Sequence, residues 1–320
     1  MVKEGCSYVF MEVSSHALDQ NRVSGLSFDI GVYTNISRDH MDYHPTLNEY
    51  IGAKKKLFNS LKNNAVAIVN FDDPYGEEMV RDIIAKPLSY GLKGDFDFKG
   101  KIVENNISGL SIEIDGFEMT SRLIGEFNAY NLLVVFAVAK SLGEEALTVL
   151  TIISNLKAPD GRFEYIVSPS NVTAVIDYAH TPDALENVLK TLVSLKSDKE
   201  KIFTVFGCGG DRDKGKRPLM GEISSVYSDR VIVTSDNPRS EKPSEIIKEI
   251  VSGIPKSKSS KVLTVQDRRQ AIKVACELAE SGDVILIAGK GHEKYQIIRD
   301  EKLHFDDLET TIEIFKQIQQ

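Results

Sequence analysis

The chain has 320 residues, 42% hydrophobic and 27% charged. That is an ordinary soluble globular composition, long enough for about two domains. The formal net charge of −8 argues against a general nucleic-acid or anionic-membrane binder and leaves small anionic substrates to a local basic site. No apolar run approaches the ~18 residues of a membrane span, and the opening MVKEGCSYVF has no secretory pattern.

In chain order, residues 7–13 (SYVFMEV), 29–36 (DIGVYTNI) and 64–71 (NAVAIVNF) are near-continuous apolar runs. They predict strands of a parallel sheet covered on both faces. Residues 111–123 alternate around Asp115-Gly116, which predicts a hairpin. Residues 125–143 predict a helix with a glycine stop. Lys157-Ala158-Pro159-Asp160-Gly161 predicts a domain boundary near 157–161. Beyond it, strands expected at 173–179, 201–207, 229–235, 261–265 and 283–289 alternate with helices near 182–196, 244–252, 267–280 and 306–318. This is the pattern of a second, doubly wound α/β unit. Cys6, Cys208 and Cys276 are isolated. They imply neither a disulfide framework nor a zinc site, but buried small hydrophobes in a reducing cytosol.

Open α/β sheets bind ligands beyond the C-terminal ends of their strands, and the unusual residues fall there. Glu12 lies near the end of the first predicted strand and His40 follows the second, and the two could hold Mg²⁺. Taken alone, a capping glutamate and a structural histidine are the simpler account, because His is an uncommon Mg²⁺ ligand. Lys54 sits in the run Lys54-Lys55-Lys56, whose simplest reading is a solvated basic face; spacing does not separate the three. The segment GCGGDRDKGKRP (207–218) is glycine-rich and carries four cations. It reads equally as an anion cradle or as a flexible polar loop. Asp236-Asn237-Pro238-Arg239 is either a turn or a site where Arg239 forks onto a substrate carboxylate. GKGHE (289–293) is not a G-x-x-x-x-G-K-[ST] phosphate loop, and nothing else in the chain matches one. No G-x-G-x-x-G follows a first strand either, which argues against a nicotinamide-dependent oxidoreductase.

Nine segments occur together and in order: MEVSSHAL (11–18), NISRDHMDYH (35–44), AKKKLF (53–58), GEFNAYNLL (125–133), DGRFE (160–164), DYAHTPDAL (177–185), GCGGDRDKGKRPLM (207–220), SDNPRSEKP (235–243) and AGKGHEKYQ (288–296). As a set they resemble the Mur ligases, in particular the branch that adds diaminopimelate. The resemblance implies an incomplete P-loop-type central domain over 1–157, in its C-terminal part. A Rossmann-like, doubly wound amino-acid-binding domain would follow over 158–320. The family's UDP-sugar domain and phosphate loop would precede Met1, so the expectation is an N-terminally truncated ligase or a gene fragment.

The implied reaction uses ATP and Mg²⁺ in the cytoplasm. The D-glutamate carboxylate of UDP-N-acetylmuramoyl-L-alanyl-D-glutamate is phosphorylated, and an amine of meso-2,6-diaminopimelate displaces the phosphate. No nucleic-acid or membrane partner is implied. By the same resemblance Glu12, His40 and Lys54 serve the metal, Lys54 as a carbamate, and His40 and Lys54 are catalytic. Ser14, Gln20 and Arg22 contact the UDP-linked dipeptide. Asn128, Arg162, Asp177 and His180 surround the nucleotide. Arg212, Asp236, Asn237, Pro238, Arg239, Gly289 and Glu293 form the diaminopimelate pocket. Arg239 would distinguish diaminopimelate, with its distal carboxylate, from L-lysine. The alternatives are a non-catalytic remnant that still binds diaminopimelate, and a lysine-adding relative.

Overall fold

The computed structural model describes residues 3, 5–36, 43–107 and 109–318. The chain divides into two units. Unit 1 comprises Met1–Glu104, Leu110–Ser121 and Glu126–Asn155; unit 2 comprises Asn105–Gly109, Arg122–Gly125 and Leu156–Gln320. No helix among the described residues is long and apolar enough to cross a membrane.

The elements of unit 1 run α1 (Ser15–Asp19), β1 (Ile30–Tyr33), α2 (Leu47–Asn59), β2 (Val66–Asn70), α3 (Gly76–Val80), β3 (Lys86–Gly91), β4 (Phe98–Asn106), β5 (Gly109–Ile114), β6 (Phe117–Ser121), α4 (Glu126–Ser141) and α5 (Ala146–Ser154). The six strands form one sheet in sequence order. β1 to β4 pair in parallel, and β5 and β6 form the expected antiparallel hairpin. Its turn holds Asp115 at φ 53° and Gly116 at φ 77°, the left-handed pair that a two-residue hairpin loop requires.

The strand expected over 7–13 does not form. An apolar run becomes a strand only where a neighbour takes its backbone hydrogen bonds. Among the described residues β1 pairs with β2 alone, and Tyr8, Val9, Phe10 and Met11 stay exposed, Phe10 by 77%.

Unit 2 runs β7 (Glu164–Val167), β8 (Thr173–Asp177), α6 (Pro182–Leu195), β9 (Ile202–Phe206), α7 (Lys216–Tyr227), β10 (Arg230–Val233), α8 (Pro243–Ser252), β11 (Val262–Thr264), α9 (Arg268–Leu278), β12 (Val284–Ala288), the hairpin β13 (Tyr295–Ile298) and β14 (Glu301–His304), and α10 (Asp307–Ile318). The main sheet has the order β11-β10-β9-β12-β8-β7. Only the edge pair β7–β8 is antiparallel.

Alternate residues of each strand point to opposite faces. On one face Ile202, Phe206, Val284 and Leu286 pack with Leu185 and Leu189 of α6, Met220 of α7 and Ile250 of α8. On the other, Phe203, Val205, Ile285 and Ile287 pack with Ile272 and Ala275 of α9 and Ile314 of α10. Both faces are therefore covered, as a doubly wound sheet requires. Register then sets the site. Phe206 lies opposite Val233 and Ala288, and Ala288 lies opposite Asp177. Four strands thus end level, and their loops leave the same edge. There β12 separates β8 from β9, the switch point at which such sheets bind ligands.

Candidate active site

In unit 1, α2 separates the lysines that their spacing left equivalent. The helix begins at a capping box: Glu49 N–H donates to Thr46 Oγ1 at 3.2 Å, and Thr46 N–H donates to the Glu49 carboxylate at 3.1 Å. Tyr50, Ile51, Ala53 and Phe58 face inward. At 100° per residue, three successive lysines must leave in three directions. Lys55 pairs with Glu78 at 2.8 Å and Lys56 with Asp19 at 2.7 Å. Lys54 instead lies one turn from Tyr50, its Nζ 5.1 Å from that ring, and lines a cavity of about 960 Å³ together with Glu12, Ser14, Tyr33 and Asn35.

Ser14 is the N-cap of α1, accepting from Ala17 N–H at 3.2 Å. Glu12 is therefore not the cap; it is exposed toward the cavity. Gln20 donates to the Tyr43 hydroxyl at 3.1 Å and accepts from Arg22. Tyr43 in turn donates to Asp19 at 3.0 Å. Hydrogen bonds from Lys56, then Tyr43, hold the Asp19 carboxyl below its usual range. His40 lies outside the described residues.

A second cavity of about 340 Å³ shares Thr34 and Asn35 with the first and is walled by Asp72, Asp73, Tyr130 and Asn131. Asn128, expected near a nucleotide, is buried behind that wall. Its Oδ1 accepts from Asn131 at 3.1 Å, so Asn131 lines the space. Asp73 accepts from the Tyr33 hydroxyl at 2.7 Å and from Ile36 N–H at 3.2 Å, fixing the chain just before residue 37.

Mg²⁺ demands oxygen ligands. Glu12 supplies a carboxylate to the larger cavity, whereas the Lys54 ammonium would repel a cation; only a carbamate on Nζ turns it into a ligand. The pair fits a magnesium ion on that condition. Among the described residues no group of three or more His, Cys, Asp or Glu gathers for a metal.

In unit 2, the loops after β8, β9, β10 and β12 carry the other candidates. The glycine-rich loop after β9 is not a cradle of free cations. Arg217 is fully buried, forked onto Glu241 at 2.8 and 2.9 Å and bonded to Glu249 at 2.6 Å. Lys214 pairs with Glu241 at 3.3 Å, and Lys216 donates to the His180 carbonyl at 2.7 Å. Arg212 alone of the four is exposed with no acidic partner among the described residues, donating to the Asp211 carbonyl at 3.0 Å. Arg217 thereby ties this loop to the one after β10 and holds the Glu241 carboxyl down at about 2. The Cys208 thiol, buried against Met220, is pushed up to about 12 and is chemically inert.

Asp236, Asn237 and Pro238 are buried and Arg239 is half-buried. Arg239 adopts φ 50° and is held by the extra hairpin, its N–H donating to the Ile297 carbonyl at 3.1 Å and its carbonyl accepting from Arg299 N–H at 2.8 Å. Its Nη1 donates to the Gly210 carbonyl at 2.8 Å and the Asn237 carbonyl at 3.4 Å. Asn237 Nδ2 donates to Glu293 at 2.8 Å, and its Oδ1 accepts from Lys290 at 3.0 Å. Gly289 comes so close to Asp236 that a Cβ there would meet its Oδ2 at 3.0 Å. Asp177 accepts from Phe163 N–H and Ala179 N–H, each at 2.8 Å. Burial raises its carboxyl against those bonds. His180 is exposed, its ring 4.6 Å from that of Tyr178, and Arg162 is exposed.

One edge of the unit 2 sheet thus carries a guanidinium, two carboxylates, an amide and a lysine, a set of groups suited to a zwitterion with a further acid group. Residues 1–139 match the family model "Mur ligase middle domain", and residues 161–291 match "Mur ligase, glutamate ligase domain". The chain belongs to the Mur ligase family. It is 52% identical over 98% of its length to the UDP-N-acetylmuramoyl-L-alanyl-D-glutamate–2,6-diaminopimelate ligase of Parabacteroides distasonis, covering 65% of that protein. It is 51% identical over 96% of its length to the ligase of the same name from Cytophaga hutchinsonii, covering 63% of it. A solved structure of a ligase with that name superposes with a TM-score of 0.69 at 38% identity, over 99% of this chain and 66% of the other. The chain therefore spans about two thirds or slightly less of the Mur ligases it matches.

Two groups of this Mur ligase chain escaped sequence reasoning. Tyr130 and Asn131 lie within three residues of Asn128, but only the helix phase tells that these two, and not Asn128, line the cavity. Lys290 stands between two glycines, but nothing local in the sequence marks it as enclosed beside Asp236 and Glu293.

Proposed function

We propose that this chain carries part of an ATP-dependent amide-bond ligase that adds meso-2,6-diaminopimelate to UDP-N-acetylmuramoyl-L-alanyl-D-glutamate in peptidoglycan precursor synthesis. Residues 1–157 correspond to the later part of the central domain and 158–320 to the amino-acid-binding domain. The observation that carries the reading is the cluster of side chains in the loops after β9, β10 and β12. There Arg239 meets a carboxylate, while Asp236 and Glu293 meet an ammonium group. L-lysine would leave Arg239 unpaired, which favours diaminopimelate. Arg212, exposed beside the same loop, adds a second cation for carboxylates, and Pro238 and Gly289 supply shape.

In the reaction the γ-phosphoryl group of ATP passes to the D-glutamate carboxylate, releasing ADP. The amine nitrogen then attacks the acyl carbon, phosphate leaves and the nitrogen loses a proton. Positioning and electrostatics supply most of the acceleration in such transfers. Ser14, Gln20 and Arg22 hold the UDP-linked dipeptide. Asn128, acting through Asn131, and Arg162, Asp177 and His180 serve the nucleotide. Glu12, His40 and carbamylated Lys54 would hold Mg²⁺, which neutralises phosphate charge when bound. The cytoplasm, where isolated cysteines stay reduced, is the compartment we infer.

The test is calorimetric titration of the chain with meso-diaminopimelate and with L-lysine, followed by ligation assays with ATP, Mg²⁺ and the UDP-linked dipeptide. Binding of diaminopimelate at least about a hundredfold tighter than lysine is expected. Equal binding overturns the diaminopimelate assignment, and binding of neither overturns the pocket. In the ligation assay, Lys54→Ala is expected to abolish product formation, with partial rescue by small carboxylates. Undiminished activity of that variant removes Lys54 from the site.

A further inference from the structure

We propose that Lys290 is the positioning residue of the amino-acid pocket: its enclosed ammonium group fixes the Asn237 amide and the Glu293 carboxylate in the orientation that receives the ligand's ammonium group. The proposal rests on the reading of this pocket given above.

Lys290 follows Gly289 at the end of β12, and its side chain is fully buried. A lysine ammonium has three donors and no acceptor; two of them are hydrogen-bonded and the third is left to ion pairing. Nζ donates to Asn237 Oδ1 at 3.0 Å and to the Tyr295 carbonyl at 2.6 Å. The third direction faces Asp236 Oδ1 at 3.3 Å and Glu293 Oε2 at 3.6 Å.

The consequence falls on Asn237. Its Oδ1 also accepts from Ile297 N–H at 2.9 Å. Turning the amide over would set its NH₂ against two donors, a buried clash without compensation. Lys290 and Ile297 therefore force Nδ2 to the other side, where it donates to Glu293 Oε2 at 2.8 Å. Oε2 of Glu293 is thereby held by the Asn237 amide.

Charge points the same way. One ammonium faces two carboxylates, which leaves one negative charge in the cluster, and among the described residues Asp236 Oδ1 is buried with no hydrogen-bond partner. A compact cation completes this arrangement. If Lys290 only filled volume, an apolar side chain would do so without the cost of burying an ammonium group.

The experiment compares meso-diaminopimelate binding to the wild-type chain, Lys290→Met and Lys290→Gln by calorimetry, with thermal midpoints as the check on folding. Lys290→Met is expected to weaken binding about ten- to a hundredfold. Lys290→Gln keeps a donor toward Asn237 Oδ1 and is expected to recover part of the loss. A folded Lys290→Met that binds like wild type overturns the proposal while leaving the pocket reading intact. Loss of thermal stability in both variants with unchanged affinity also overturns it. Absence of binding by the wild type overturns the pocket reading and this proposal together. Should neither variant fold, the wild type decides: the Lys290 side-chain ¹⁵N resonance is expected to shift on addition of diaminopimelate, and a resonance that does not move overturns the proposal.

Discussion

At the scale of single residues, the same side-chain type does opposite things within a few positions. Arg217 and Arg239 both bind the loop after β9, yet Arg217 is spent on Glu241 and Glu249. Arg239 uses Nη1 on two carbonyls, and in the proposed function the rest of its fork meets the ligand. Arg239→Ala is expected to weaken diaminopimelate binding by about 2 kcal/mol or more, because a bidentate, charge-assisted pair is lost, with the affinity for ATP unchanged. Calorimetry with both ligands checks this, and an equal loss for the two would point to misfolding. Glu241 gives a pH prediction. Its carboxyl is lowered from 4.5 to about 2 by Arg217, with further help from Asp211 N–H and Lys214. A carboxyl lowered on folding stabilises the fold above its unfolded pKa. That contribution is lost as pH falls from 4.5 through about 2. Urea unfolding at pH 3 and pH 6 is expected to show a large stability gap in wild type and a smaller one in Glu241→Gln. An identical gap in the variant would refute the assignment.

At the scale of elements, loops are held by close backbone approach as much as by side chains. Gly210 N–H donates to the Asn237 carbonyl at 2.9 Å, and a Cβ on Gly210 would meet the Pro238 carbonyl oxygen at 1.9 Å. Gly210→Ala must therefore push the β9 and β10 loops apart. It is expected to cost about 1–3 kcal/mol and to weaken diaminopimelate binding along with the urea midpoint. Gly52, inside α2, is the control: a Cβ there meets nothing within 4 Å. Gly52→Ala is expected to stabilise by about 0.5–1 kcal/mol through helix propensity. Most elements were legible from pattern alone, and the β5–β6 turn was legible from Asp115-Gly116. The 7–13 segment was not, because a strand is a relation between two segments and a sequence pattern describes one. The β13–β14 hairpin also escaped: its four-residue strands are too short and too exposed for alternation to announce them.

At the scale of the whole molecule, ligand binding should appear in stability. Diaminopimelate at about a hundredfold excess over its Kd is expected to stabilise the chain by about 2.7 kcal/mol, read as a rise in the thermal midpoint. The same concentration of L-lysine should raise it far less, and equal shifts would remove the role given to Arg239.

The amino-acid sequence by itself determined the alternation of strands and helices, the hairpin turn and the family resemblance, because hydrophobic period, turn chemistry and motif order are local properties. It also brought Asp236, Asn237, Arg239 and Glu293 under suspicion. Only the tertiary structure decided which of three consecutive lysines faces the cavity, which of four cations in the glycine-rich loop is buried in ion pairs, and that Lys290 sits enclosed among Asp236, Asn237 and Glu293. Those outcomes depend on helix phase and on level strand ends, which bring together residues far apart in the chain.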